Sequence, residues 1–154
     1  MAADFWDTSA LAKLYLNEAG SEWAARRAAA NEVVVSQLTH VEIASLVARR
    51  RAAGEFDEPV QRQLYARYLT DVRTFEIVPF TAALAVRAAE LVLSGTFGTR
   101  VRSLDAVQLA SAGWWFEAAA ANTLDSGAFI VADSALGSAA AALGMPVDNP
   151  EEHE

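Results

Sequence analysis

Along this chain, short and dense apolar runs alternate with longer stretches of helical spacing. The runs stand at "DFW" (4–6), "VVVS" (33–36), "FEIV" (75–78) and "AFIVA" (128–132), with a shorter one at "PVD" (146–148). Runs of this length, rich in Val, Ile and Phe, predict strands buried on both faces. After the first run, Leu11, Leu14 and Tyr15 fall at i, i+3 and i+4. Within 38–54, Leu38, Val41, Ser45 and Ala48 form one stripe, and Gly54 supplies the stop. Within 57–72, Pro59 stands near the start, and Tyr65, Tyr68, Leu69 and Val72 share a face. The stretches 81–95, 103–121 and 133–144 continue the helical pattern, with Leu104, Val107, Ser111 and Trp114 as the inward stripe of the second. Strands alternating with helices predict an α/β fold whose central, mostly parallel sheet is covered on both faces. No repeat or linker interrupts the pattern, so residues 1–150 read as one domain and 151–154 as an acidic tail expected to fray.

Composition narrows the class. At 154 residues with 53% hydrophobic content, the chain can bury a substantial core. No stretch reaches the roughly 18 uncharged apolar residues needed to span a bilayer, and the first residues lack a signal-peptide pattern. The absence of cysteine excludes disulfides, thiolate metal sites and a cysteine nucleophile. A cytoplasmic location is the expectation. The net charge of −8 argues against loose electrostatic binding of nucleic acid. The cations are almost all arginines, clustered at Arg26-Arg27, Arg49-Arg50-Arg51 and Arg100/Arg102. Such clusters leave room for local phosphate binding at an arginine-lined rim, helped by divalent metal.

Four acids stand where strands give way to helices or where helices begin. Asp7 follows "DFW", Glu42 follows Thr39 in "LTHVE", Asp105 follows Ser103 in "RSLDAVQLA", and Asp133 follows "FIVA". Each has a structural explanation of its own. Asp7 and Asp133 suit N-caps. Thr39-x-x-Glu42 suits a capping box. Asp105 in a first turn gains about 0.3–1 kcal/mol from the helix dipole. Taken together, however, helices entered from central parallel strands start at one edge of the sheet, so the four acids can converge. Converging carboxylates repel, and a hard cation relieves that repulsion. Oxygen donors without cysteines, and with only His40 and His153 as imidazoles, favour Mg²⁺ or Mn²⁺ over zinc.

The segments "FWDTSALAKLYLNEAGS", "LTHVEIASL", "SLDAVQLASA" and "FIVADSALGSAAAALGMPVDNP" resemble, in order, the successive motifs of PIN-domain ribonucleases, and particularly VapC-type toxins. The resemblance implies a three-layer α/β/α sandwich and an acidic metal site formed by Asp7, Glu42, Asp105 and Asp133. In it, Ser9 would support the ligands by hydrogen bonding. It implies Mg²⁺- or Mn²⁺-dependent endonucleolytic hydrolysis of RNA, and a cognate antitoxin partner. "MAADFW" departs from the family's cleaner aliphatic first strand through Asp4 and its aromatics. Asp125, in "LDSG", reads as a turn residue outside the site.

Other residues carry less. Among the arginines, Arg49 and Arg50, about two turns beyond Glu42, are candidates for holding RNA phosphate. Lys13 reads as a surface lysine, and His40 as without a role. Trp114, Trp115 and Phe116 fit core packing or a dimer contact better than base stacking. Together with the tyrosine face of 57–72 they predict a homodimer. A haloacid-dehalogenase-type phosphatase needs a second aspartate where Ser9 stands, and a receiver domain needs a lysine near its end; neither pattern fits. A housekeeping RNA-processing nuclease and a catalytically silent binding module remain open beside the toxin.

Overall fold

Ala3–Trp6 (β1) lies at the centre of a five-stranded parallel sheet with the order β3-β2-β1-β4-β5, the other strands being Glu32–Ser36 (β2), Glu76–Val78 (β3), Ser126–Ile130 (β4) and Val147–Asp148 (β5). The computed structural model describes residues 1–98 and 101–153. Arg100, of the third arginine cluster, and Glu154 fall outside them. Seven helices complete the described chain: Thr8–Leu11 (α1), Ser21–Ala30 (α2), Thr39–Ala52 (α3), Glu58–Asp71 (α4), Ala82–Leu93 (α5), Ser103–Ala121 (α6) and Ser134–Ala142 (α7).

The period-2 alternation of each strand divides the core in two. Phe5, Val34, Phe129 and Val78 face Leu84, Leu109, Trp115 and Leu136 of α5, α6 and α7. Trp6, Val33, Val35 and Ile130 face Leu11, Ala24, Ile43, Val47 and Tyr68 of α1 to α4. The result is the expected α/β/α sandwich. From β1 the chain builds outward through β2 and β3, then returns to place β4 and β5 on the other side. Where strand order reverses, between β1 and β4, the helices diverge and leave a crevice at the carboxyl ends of the strands.

Asp4 does not shorten β1. Its carboxylate is fully buried and takes hydrogen bonds from Arg27 Nε (2.7 Å) and Nη2 (2.9 Å), from Asn31 Nδ2 (2.6 Å) and from the Ala128 N–H (2.8 Å). Burial pushes its pKa up, but these donors and the guanidinium charge outweigh burial and bring it below the ordinary value. The carboxylate sits where the β1–β4 register shifts, between Ala3 and Phe5. Gly127 is needed beside it, because a Cβ there would collide with the Asp4 oxygens.

Several expectations are corrected. β4 ends at Ile130 rather than 132, because the Ala132 and Asp133 amides turn toward Ser9 Oγ (3.1 and 3.2 Å). The buried stripe of α3 is Thr39, Ile43 and Val47, and Val41 is 70% exposed. On the predicted face of 57–72, Tyr68 on α4 and Val72 just beyond it are buried, but Leu69 is not. Of the two tryptophans of α6, Trp115 is the one in the core, packed on Phe5, while Leu104 and Trp114 are exposed; α6 is a central helix buried round most of its girth. Lys13 is not on the surface. At 3% exposure, its ammonium donates to Glu18 (3.1 Å), the Ala19 carbonyl (2.8 Å) and Glu151 (2.7 Å), which fills its three donor sites. Residues 151–153 of the terminal segment make contacts instead of fraying: Glu151 anchors on Lys13, and His153 stacks on Trp23 and contacts Asp148. His40 Nδ1 lies 3.0 Å from the Tyr68 hydroxyl. No helix among the described residues is long and apolar enough to cross a membrane.

Candidate active site

Asp7 follows β1 directly and caps α1, in extended backbone geometry. Its N–H donates to the Ile130 carbonyl of β4 (2.9 Å), which fixes it at the reversal of strand order. The Asp7 Oδ2 atom accepts from the Ser9 N–H (2.9 Å) and the Ser9 hydroxyl (2.5 Å). That hydroxyl in turn accepts the Ala132 and Asp133 amides, so one serine ties the ends of β1 and β4 together around the carboxylate. Burial pushes the Asp7 pKa up; the two Ser9 bonds pull it down, and the charge of Asp105 adds to the rise. The net direction is upward. A cap and a member of a charge cluster are here the same residue.

Glu42 lies in the first turn of α3, but it does not reach back to Thr39 as a capping box would. The helix is capped at Leu38 without a side-chain bond, and among the described residues Thr39 Oγ1 is buried without a protein partner. Glu42 Oε1 instead accepts from Gln108 Nε2 (2.6 Å) and Thr8 Oγ1 (3.2 Å). Burial drives its pKa up; the Gln108 and Thr8 bonds oppose this, and the charges of Asp7 and Asp105 reinforce it. Sequence reasoning missed Gln108 and Thr8. The available signal was a glutamine one turn after Asp105 in an otherwise apolar helix.

Asp105 accepts from the Arg102 N–H (2.9 Å), and Asp133 caps α7 by accepting from the Leu136 N–H (2.9 Å). These acids, with Asp7, Ser9 and Glu42, line one open cleft of about 300 Å³. Asp7, Glu42 and Asp105 form its mutually repelling inner group, while Asp133 sits exposed at the rim. Arg49 lines the same cleft and bonds Ser45 Oγ (3.0 Å). Arg50 does not line it: it reaches Glu18 (2.7 Å) and Glu55 (2.9 Å) beside an adjoining recess. Arg51 pairs with Glu58. Val41 and Leu104 give the cleft an apolar lip.

The side chains present suit a hard divalent cation in donor type. All four are carboxylates, three of them repel one another, and Arg49 is the sole cationic side chain among the described residues of the cleft. Among the described residues, no three acids or imidazoles stand close enough to enclose an ion. Each carboxylate accepts from its own local donor: Ser9 for Asp7, Gln108 for Glu42, the Arg102 N–H for Asp105 and the Leu136 N–H for Asp133.

A profile of the PIN domain matches residues 5–136, so the chain belongs to the PIN domain family. Among solved structures, it is similar to Mycobacterium tuberculosis VapC20, a sarcin-ricin loop cleaving toxin. The TM-score is 0.56 at 21% identity, over 79% of this chain and 84% of that one. No curated protein matches the chain by sequence.

Proposed function

We propose that the protein is a metal-dependent endoribonuclease, the toxin of a toxin–antitoxin pair. The observation that carries the reading is the trio Asp7, Glu42 and Asp105, gathered in one cleft at the crevice where a PIN-type sheet reverses its strand order. Asp7, Glu42, Asp105 and Asp133 would hold Mg²⁺ or Mn²⁺. When bound, such an ion lowers the pKa of a water and takes up charge developing on a phosphoryl oxygen. The protein's own groups do the rest. Ser9 keeps the Asp7 carboxylate turned to the crevice while joining β1 to β4, and Arg49, on the same helix as Glu42, offers its guanidinium to an RNA phosphate entering the cleft. Hydrolysis would leave a 5′-phosphate and a 3′-hydroxyl, in keeping with the family resemblance.

The exposed lip of Val41 and Leu104 supports an antitoxin segment lying over the cleft. The homodimer is proposed on a different surface from the tyrosine face of α4, because Tyr68 and Val72 are consumed by the protein's own core. Ala82, Val86, Ala89 and Leu93 instead form an exposed apolar stripe on α5. Action in the cytoplasm, where RNA is found, follows from the same reading. Incubating purified protein with structured RNA, with and without Mg²⁺ or Mn²⁺, tests the enzyme; cleavage abolished by EDTA is the expected result. A neighbouring reading frame encoding a small DNA-binding protein separates the toxin from a housekeeping nuclease. Light scattering at micromolar concentration tests the dimer.

A further inference from the structure

We propose that Gln108 is a positioning residue, which holds one oxygen of Glu42 and leaves the other as the single oxygen presented to a divalent cation; this rests on the metal-dependent reading above. The Gln108 side chain is 1% exposed, on a stretch of α6 made otherwise of Ala106, Val107, Leu109 and Ala110. Its Nε2 donates to Glu42 Oε1 (2.6 Å) and approaches Thr8 Oγ1 (3.3 Å), and the Thr8 hydroxyl donates to that same Glu42 oxygen (3.2 Å). The three side chains close a small ring joining α1, α3 and α6, the helices that carry or directly follow Asp7, Glu42 and Asp105. Among the described residues, Glu42 Oε2 has no hydrogen-bond partner and is free for the cleft. A reversed amide would set its own oxygen against the carboxylate, so Glu42 fixes which way Gln108 points.

The amide is a poor choice on grounds of stability. Among the described residues its Oε1 is buried with no protein donor to it. A buried acceptor left unmade is destabilising, a cost that an apolar side chain of the same shape avoids. What the amide provides, and methionine does not, is a donor aimed at Glu42. A carboxylate saturated at Oε1 cannot swing to chelate through both oxygens or turn away from the crevice. Gln108 also stands one turn beyond Asp105 on the same helix, so the ring fixes the spacing between two of the proposed ligands.

The test compares wild type, Q108M and T8V by calorimetric titration with Mn²⁺, by melting in EDTA, and by RNA cleavage across a range of Mn²⁺ concentration. Expected for Q108M is a melting temperature at or above wild type with a Mn²⁺ dissociation constant raised about 10–100-fold, the usual cost of losing an outer-shell partner. Half-saturating Mn²⁺ for cleavage should rise by a similar factor, and the rate at saturating metal should largely recover. T8V should shift the same quantities less. Wild-type Mn²⁺ affinity in both variants overturns the role of Gln108 while leaving the metal site standing. If wild type itself binds no Mn²⁺, the proposed function falls and the role with it. If Q108M does not fold, T8V decides, and an unshifted Mn²⁺ affinity in it is the overturning result.

Discussion

Asp4 and Asp7 lie three residues apart along one strand and its exit, and both are buried, yet the protein treats their charges in opposite ways. Around Asp4 it sets a guanidinium, an amide nitrogen and a backbone N–H, and the carboxyl is held below its ordinary pKa. Around Asp7 it sets a serine and two further carboxylates, and the carboxyl is pushed above it. Desolvation is the largest influence on both. What differs is the compensation: Arg27 supplies a positive charge to Asp4, and among the described residues no cationic side chain pairs with Asp7. A fold indifferent to function would treat two buried aspartates alike. Asp7, the one whose pKa is raised, stands at the crevice beside Glu42 and Asp105, a donor set that suits a cation.

The largest effect should come from removing the compensation. Arg27→Met keeps much of the side-chain packing but leaves Asp4 as an unpaired buried charge, which costs about 3–5 kcal/mol. Arg27 is partly exposed, so the lower end of that range is the expectation in urea unfolding. A loss well under 1 kcal/mol, the value of a surface pair, would mean that Asn31 and the Ala128 amide suffice for Asp4.

At Asp7 the charge itself is the target. Asp7→Asn retains an acceptor for the Ser9 N–H and removes one member of the repelling trio. The variant should fold at least as well as wild type without metal, while Mg²⁺-dependent RNA cleavage falls by about 100-fold or more, beyond the usual cost of an outer-shell loss. Cleavage that survives both this substitution and EDTA would reduce Asp7 to a helix cap.

The contrast between these two aspartates also marks how far the sequence could be read. Five strands and the positions of four acids were visible, because apolar runs and acids at helix starts are local patterns. Asp4 looked like a blemish, because its partners Arg27, Asn31 and Ala128 are distant in sequence. Lys13 was misplaced for the same reason: one of its acceptors, Glu151, comes from the far end of the chain. On α3, apolar residues occupy two faces, and periodicity selected the face containing Val41; the fold buries Ile43 and Val47 and leaves Val41 at the cleft. On α6 the helix is buried almost all round, so no stripe existed to find, and Gln108 was lost among its apolar neighbours.

A smaller perturbation tests how tightly Asp4 is enclosed. Gly127→Ala would drive a methyl group into the Asp4 carboxylate and should destabilise by about 1–3 kcal/mol, as overpacking does. Gly113→Ala is its control. The methyl there meets the far end of Arg87, which can move aside, and a helical Gly→Ala exchange favours the helix by about 1 kcal/mol. Equal melting temperatures for the two variants would show that the Asp4 pocket yields more easily than its hydrogen bonds imply.

The smallest expected effect is in pH dependence, where the two aspartates should pull stability in opposite directions. For Asp4 the folded pKa is lowered, so its contribution is present above the ordinary value of 3.8 and is lost as pH falls through the folded pKa. For Asp7 the folded pKa is raised. The folded state therefore binds that proton more tightly than the unfolded chain, and the stability this confers is complete below 3.8 and lost as pH rises through the folded value. In EDTA, then, Asp7→Asn should melt above wild type at neutral pH, and the gap should close on acidification as wild-type Asp7 becomes neutral too. Adding Mg²⁺ at neutral pH should close the same gap from the other side, by supplying the missing positive charge to wild type alone. Melting curves of the two proteins that keep a constant offset from pH 7 to pH 4, with and without Mg²⁺, would show that Asp7 carries no uncompensated charge, and the contrast with Asp4 would vanish.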